Sequence, residues 1–262
     1  MLPFICKFIA IGMTGVLLGF GTATGAEIKV MLSGGFSGAY GALVPEFERA
    51  SGHKIVTVRG ASMGNTPEAV PNRIARGEPV DVVIVNTEAI DRLVSEGKLV
   101  AAGRVELARA LIGAVVRAGT PKPDIKTVAA FKETLLKAKS IAYSGSASGI
   151  YLTTVLFPRL GVAEQVKDKS RMFFGGVAHA VARGECELGL QTISEMLMTK
   201  GVDHLGPIPA EIQEVQSFSA AIAAGAKEPA AGLALIKYLS SPQAAPAITK
   251  AGMVPVTPAG KR

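Results

Sequence analysis

The stretch that most constrains this chain is Ile28 to Tyr40, IKVMLSGGFSGAY. Its apolar run, Ile28 to Leu32, is short, begins with a β-branched residue and is closed by glycines, which predicts a buried strand. Ser33, Gly34, Gly35, Phe36, Ser37 and Gly38 form a small polar turn, and a helical stretch follows from about Ala39. Strand, Ser/Gly turn and helix start together make an anion cradle. The first helical N–H groups have no partner inside the helix, and the dipole is positive at that end. One such turn is also an ordinary way to join a strand to a helix. The chain carries a second: Ser140 to Tyr143 predicts a short strand, and Ser144 to Tyr151, SGSASGIY, opens another helix. Two turns, one from each of two lobes, can clamp a single anion from opposite sides.

Between and after these turns, strands alternate with helices. Helices are expected over Ala39 to Gly52, with Gly52 as a C-cap, over Val70 to Arg76 and over Ala89 to Gly97. Strands are expected over Lys54 to Val58, over the nearly continuous apolar run Val80 to Val85, over Leu111 to Val116 and over Leu188 to Thr192. Such alternation predicts doubly wound, parallel α/β sheets. Gln213 to Ala223 reads as a strand crossing back between lobes. The first lobe is thus expected over 27–110 and again over 219–262, and the second over 111–218, with the Pro-containing loop Thr120 to Asp124 as a natural break between them. Arg59 ends its strand where open α/β sheets place their ligand crevice; a surface ion pair would serve an arginine there equally well.

Composition narrows the function classes. Apolar residues make up 48% and charged residues 19% of a 262-residue chain, the balance of a folded protein with room for two cores. Residues 1–26 stand apart: Lys7 is their one charge, an apolar stretch runs from Phe8 to Phe20, and small residues follow as far as Ala26. That pattern predicts a cleaved signal peptide, hence a periplasmic protein with no stable membrane insertion afterwards. Its removal takes Cys6 and leaves Cys186 alone, too few for a disulfide or a cysteine metal site. His53, His179 and His204 are scattered, which speaks against zinc. The net charge of +7 is dispersed and aromatics are 5%, without the basic stripe and stacking rings that nucleic acid requires. A mild positive field suits a small anion better.

Five phrases carry a family resemblance: SGGFSGAYGALVPEFERASG, RIARGEPVDVVIVNTEAIDRLVSEGKL, the SGIY turn, VARGECELGLQTISE and LIKYLSSPQAA. Across nearly the whole mature chain they resemble the type II periplasmic solute-binding proteins, most of all the molybdate-binding branch. The resemblance implies two α/β lobes joined by crossing strands and closing like a hinge over a ligand. It places the oxyanion shell at Gly35, with Ser33 and Ser37 close by, near Ser62, at Ser148 and at Thr192. Gly35 and Thr192 stand where that branch has a serine and a tyrosine. Arg59 favours bidentate carboxylate recognition, which points to an organic carboxylate ahead of an inorganic oxyanion.

Length, signal segment and departure from the molybdate pattern also resemble the aconitate isomerases, periplasmic enzymes on the same scaffold. What this implies is interconversion of trans- and cis-aconitate by allylic proton transfer in a monomer, with no metal or other cofactor. Such chemistry needs donors for three carboxylates, a base for a C–H proton, and stabilisation of an allylic carbanion. The carboxylate donors expected are Ser33, Gly35, Ser37, Arg59, Ser62, Ser146, Ser148 and Thr192. The base is sought among His179, Glu195 and Tyr151, with Tyr40 also beside a turn. The alternative is a solute-binding protein that delivers an organic carboxylate or a molybdate-like oxyanion to an ABC permease. The two differ in whether the cleft holds a titratable base.

Overall fold

A computed structural model describes residues 25–256. The expected signal segment lies outside the described residues except for Gly25 and Ala26. The described residues form eleven strands: β1 (Glu27–Leu32), β2 (Lys54–Arg59), β3 (Val82–Asn86), β4 (Val105–Ala110), β5 (Ile112–Arg117), β6 (Ile141–Ser144), β7 (Ser170–Phe173), β8 (Leu188–Thr192), β9 (Val202–Pro207), β10 (Gln216–Ile222) and β11 (Val254–Pro255). They make two sheets, ordered β11-β4-β10-β3-β1-β2 and β7-β6-β8-β5-β9.

Each sheet has the same logic. In the first, β1 runs parallel to β2 and β3, and β10 lies antiparallel to β3 and β4. In the second, β6 runs parallel to β7 and β8, and β5 lies antiparallel to β8 and β9. The sheets are therefore mixed, where alternation alone implied parallel ones. The antiparallel members β5 and β10 are the strands that arrive from the other lobe, and a strand entering from the cleft side runs against its neighbours. Connections within each parallel set are helical, as parallel strands require.

The lobe boundaries follow from those arrivals. Leu111 alone separates β4 in one sheet from β5 in the other, so the chain first passes between the sheets there. The return differs. Gln216, Ser217 and Phe218 pair with Ala110, Arg109 and Ala108 of the first sheet, which moves that boundary from 218 back to the segment before Gln216. The loop Thr120 to Asp124 is not a break between lobes; it follows β5 inside the second lobe and lines a cavity there. A crossing made by extended chain keeps its ladder partners on both sides and needs no Pro-rich linker.

Packing follows the pleat. In β1, Ile28, Val30 and Leu32 face the cluster that includes Phe36, Leu43, Phe47 and Leu235, and Met31 faces Val83, Val85, Ile90 and Leu93 on the other side. The second sheet divides likewise: Ile141, Leu188 and Leu190 pack with Phe131, Leu152 and Phe157, and Ala142 and Val115 pack with Val177 and Val181. Each large side chain so buried contributes about 1.5–3 kcal/mol. The helix Ser37–Ser51 ends at Gly52, whose φ of 74° and N–H to Glu48 make the expected cap. On its first turn Tyr40 shares a 2.8 Å hydrogen bond with Thr57 of β2. Burial pushes that phenol up to about 12.

The first lobe is also tied by one carboxylate. Asp81, 3% exposed, accepts from the N–H groups of Lys29 at 2.8 Å, Lys227 at 2.7 Å and Glu228 at 3.0 Å. It thereby pins β1 to the start of the helix Pro229–Leu239. Asp81→Ala leaves three donors unpaired and is expected to lower unfolding stability by roughly 3 kcal/mol. Urea denaturation followed by circular dichroism checks this, and an unchanged midpoint would refute it.

Candidate active site in the interlobe cleft

The C-terminal ends of all six parallel strands meet at one cleft of about 280 Å³. From the first lobe come Ser33 and Gly35 after β1, Arg59 at the end of β2, and Asn86 at the end of β3. From the second come Ser144, Ser146 and Ser148 after β6, Phe174 and Gly175 after β7, and Thr192 with Glu195 after β8. Ligands of open α/β sheets bind at such ends. Here two sheets present them to each other.

Hydroxyls dominate the walls, and several have a free hydrogen. Ser62 Oγ accepts from the Asn86 N–H at 3.0 Å, and Ser144 Oγ accepts from the Ser146 N–H at 3.2 Å. An oxygen already used as acceptor leaves its own hydrogen for a ligand. Ser33 is 3% exposed and its Oγ has no partner among the described residues, a costly arrangement that a bound oxygen would relieve. Asn86 is fixed by donating from Nδ2 to Gln216 Oε1 at 3.0 Å. The helix Ala147–Tyr151 opens at Ser146 with no side chain capping it, so its first N–H groups also point at the cleft. This close seating depends on Gly149, where a Cβ would come within 1.5 Å of the Ser144 carbonyl oxygen.

Two acids and one cation share the cleft. Glu68 at the rim pairs with Arg73. Arg59 takes part in no ion pair among the described residues and is the cleft's one cationic side chain there. Glu195 sits on the short helix Ile193–Met196. Gln191 Nε2 donates to its Oε2 at 2.7 Å, and Thr192 Oγ1 donates to its Oε1 at 2.9 Å. Burial nevertheless outweighs these donors and pushes the carboxyl up to about 7, because losing water penalises the charged form. Among the described residues no three His, Cys, Asp or Glu side chains gather as metal ligands do.

Of the donors expected from the sequence, Ser33, Gly35, Arg59, Ser62, Ser146, Ser148 and Thr192 line the cleft, and Ser37 does not. Its Oγ donates to the Gly34 carbonyl at 2.7 Å and braces the turn from behind. Of the bases considered, Glu195 alone lines the cleft. His179 is exposed on the helix Val177–Ala182, whose buried residues on either side turn its own side chain to solvent. Tyr151 donates from its hydroxyl to the Ile212 carbonyl at 2.9 Å and packs on the second core. Tyr40 is engaged with Thr57. Asn86, Ser144, Phe174, Gln216 and Phe218 also line the cleft. For Asn86 and Ser144 the available signal was a polar residue ending an apolar strand; Phe174, Gln216 and Phe218 had none, since they reach the cleft only through the crossing and β7.

The comparisons agree with this geometry. The family described as bacterial extracellular solute-binding protein matches residues 28–254. An aconitate isomerase from Pseudomonas sp is 44% identical over 230 residues, 87% of this chain and 88% of that protein. The periplasmic molybdate-binding protein of Azotobacter vinelandii superposes with a TM-score of 0.71 at 22% identity, over 87% of this chain and 98% of that one. The sulfate-binding protein of Mycobacterium tuberculosis H37Rv gives a TM-score of 0.69 at 21% identity, over 89% and 88%. Two α/β lobes with their strand ends turned to a common cleft, and a family match over almost all the described residues, place this chain among the bacterial extracellular solute-binding proteins with the type II periplasmic binding-protein fold.

Proposed function

We propose that this chain is an aconitate isomerase that uses Glu195 as its acid–base group. The observation that carries the reading is the Glu195 carboxyl itself, lining the cleft between the lobes and held near neutrality by burial. A protein that only binds an anion gains nothing from a carboxylate at that place. The 44% identity to an aconitate isomerase supports the same reading.

The chemistry balances without an added reactant. Ionised Glu195 takes a proton from the methylene carbon of trans-aconitate, breaking that C–H bond. The electron pair spreads over the three-carbon allyl unit and into a terminal carboxylate. The double bond moves by one position, and Glu195 returns the proton to the former vinylic carbon as a new C–H bond. The new double bond is the CH2–C bond that is single in trans-aconitate, so the rotamer in which that bond is held when the proton leaves sets the cis geometry. A base with a pKa near the working pH serves both directions well. Arg59 suits a bidentate grip on one carboxylate. The hydroxyls of Ser33, Ser62 and Ser144 and the two turns supply neutral donors for the others and for the developing charge. Closed lobes exclude the water that would otherwise quench the carbanion.

The ligand class follows as a small tricarboxylate, the protein works as a monomer, and the periplasm is its compartment. No helix among the described residues is long and apolar enough to cross a membrane.

Proton NMR of the protein with trans-aconitate in deuterated buffer tests the activity. Cis-aconitate is expected to appear; a spectrum that stays unchanged while ligand lines broaden would leave a transport-type binding protein instead. Glu195→Gln is expected to lower kcat by about 10²–10⁴-fold while binding of trans-aconitate persists. The pH dependence has a definite sign. The ordinary carboxyl value is 4.5 and the folded one about 7, so turnover rises with pH through about 7 as the base ionises. Over the same window the folded state gives up its proton later than the unfolded one, and stability falls. Glu195→Gln removes that loss and is expected to melt above the parent protein at about pH 8. Arg59→Met is expected to raise KM at least about 10-fold, with a smaller effect on kcat.

A further inference from the structure

Glu195 is carried by the second lobe, yet its carboxyl rests against the first. A Cβ built on Gly34 would lie 2.3 Å from Glu195 Oε2 and 2.9 Å from its Cδ. Gly34 is not among the glycines with left-handed backbone, so what stands in the way of a side chain there is the Glu195 carboxyl. From within the second lobe Gln191, 2% exposed, donates to the same Oε2 at 2.7 Å.

We propose that Gly34 and Gln191 are positioning residues for the isomerisation, a two-sided clamp with one jaw on each lobe that sets the Glu195 carboxyl against substrate only when the lobes are shut. The proposal rests on the reading of Glu195 as the base. A glutamate has three rotatable bonds, and a free one samples many poses, of which few face a given carbon. Gln191 and Thr192 fix the carboxyl within the second lobe by one donor on each oxygen. That leaves rotation of the whole group toward or away from the ligand. The backbone of Gly34 closes off one side of that rotation, and it does so only from the other lobe. Opening the cleft therefore releases the base and readmits water to it. Arg59 and Glu68 are the other charged side chains that share the cleft among the described residues, and neither is hydrogen-bonded to Glu195.

The clamp is tested with Gly34→Ala and Gln191→Met, and with Gly41→Ala as control. Gly41 is exposed on the helix Ser37–Ser51, and a Cβ there meets nothing within 4 Å. The atom that the methyl added in Gly34→Ala would displace is the far end of a flexible side chain, so the fold survives and the base moves. Both clamp variants are expected to lose about 10²-fold in kcat, the usual result of misplacing a reacting group by about 1 Å, with KM within about threefold of the parent. In Gln191→Met the acid limb of the pH–rate profile moves to higher pH, because a donor to the charged form is gone. Parent kcat and an unmoved limb in folded Gln191→Met, or parent kcat in Gly34→Ala, overturn the proposal. If Gly34→Ala does not fold, Gln191→Met decides alone. If Glu195→Gln keeps full activity, the base assignment falls separately. The clamp is then judged by carbon-13 NMR titration of the Glu195 carboxyl: a shift in the variants upholds it, and an unshifted titration ends it.

Discussion

The site exists because the chain crosses between the sheets twice, directly from strand to strand at Leu111 and again ahead of Gln216, after the short 3-10 turn Ala210–Ile212. Both crossings lie outside the ladders of β4, β5, β9 and β10 and leave them intact. They also fix which ends of the parallel strands look at one another. Each sheet alone would offer a shallow crevice at its switch point. Joined this way, the two crevices become opposing walls, and six strand ends with the turns that follow them bring hydroxyls, amides, one guanidinium and two carboxyls to about 280 Å³.

Within that space the electrostatics are asymmetric. Neutral donors hold an anion without charge of their own, through hydroxyl hydrogens and helix N–H groups. A lone arginine adds direction rather than overall charge balance. Against this background a carboxyl is costly, and burial keeps Glu195 protonated at pH values where an exposed glutamate is ionised. The same desolvation that destabilises the charged form makes it a stronger base once formed. Stability and reactivity are opposed at this residue, a trade often seen at active sites.

Much of this was legible in the sequence, and the rest was hidden for identifiable reasons. The two Ser/Gly turns announced both halves of the cleft, since the strand–turn–helix grammar is local. Ser33, Gly35, Ser146 and Ser148 line it for that reason, while Arg59 was placed by its strand end and Ser62 and Thr192 by the family resemblance. Ser37 was misplaced because neighbouring turn residues point to opposite sides, and only coordinates show that its hydroxyl turns back to Gly34. The sequence did not choose among the candidate bases, because accessibility to the cleft depends on packing: His179 and Tyr151 lie beside cleft elements and face elsewhere. Strands β4 and β9, VELARA and VDHLGP, mix charge with apolar residues and have no clean period. Their assignment comes from partners distant in sequence.

The sheet order has a consequence for how the chain assembles. Strand β10 is inserted between β3 and β4, and it is more than a hundred residues downstream of both. Until it arrives, the first sheet has an open gap at its centre and β3 presents an unpaired apolar edge, a template for wrong partners. The second lobe, contiguous in sequence, can form while the first waits. A chain synthesised from its N-terminus thus starts its first lobe earliest and finishes it last, and the strand that completes the fold is also the one that carries Gln216 and Phe218 into the cleft. A truncated or stalled product would have neither a finished sheet nor a finished site.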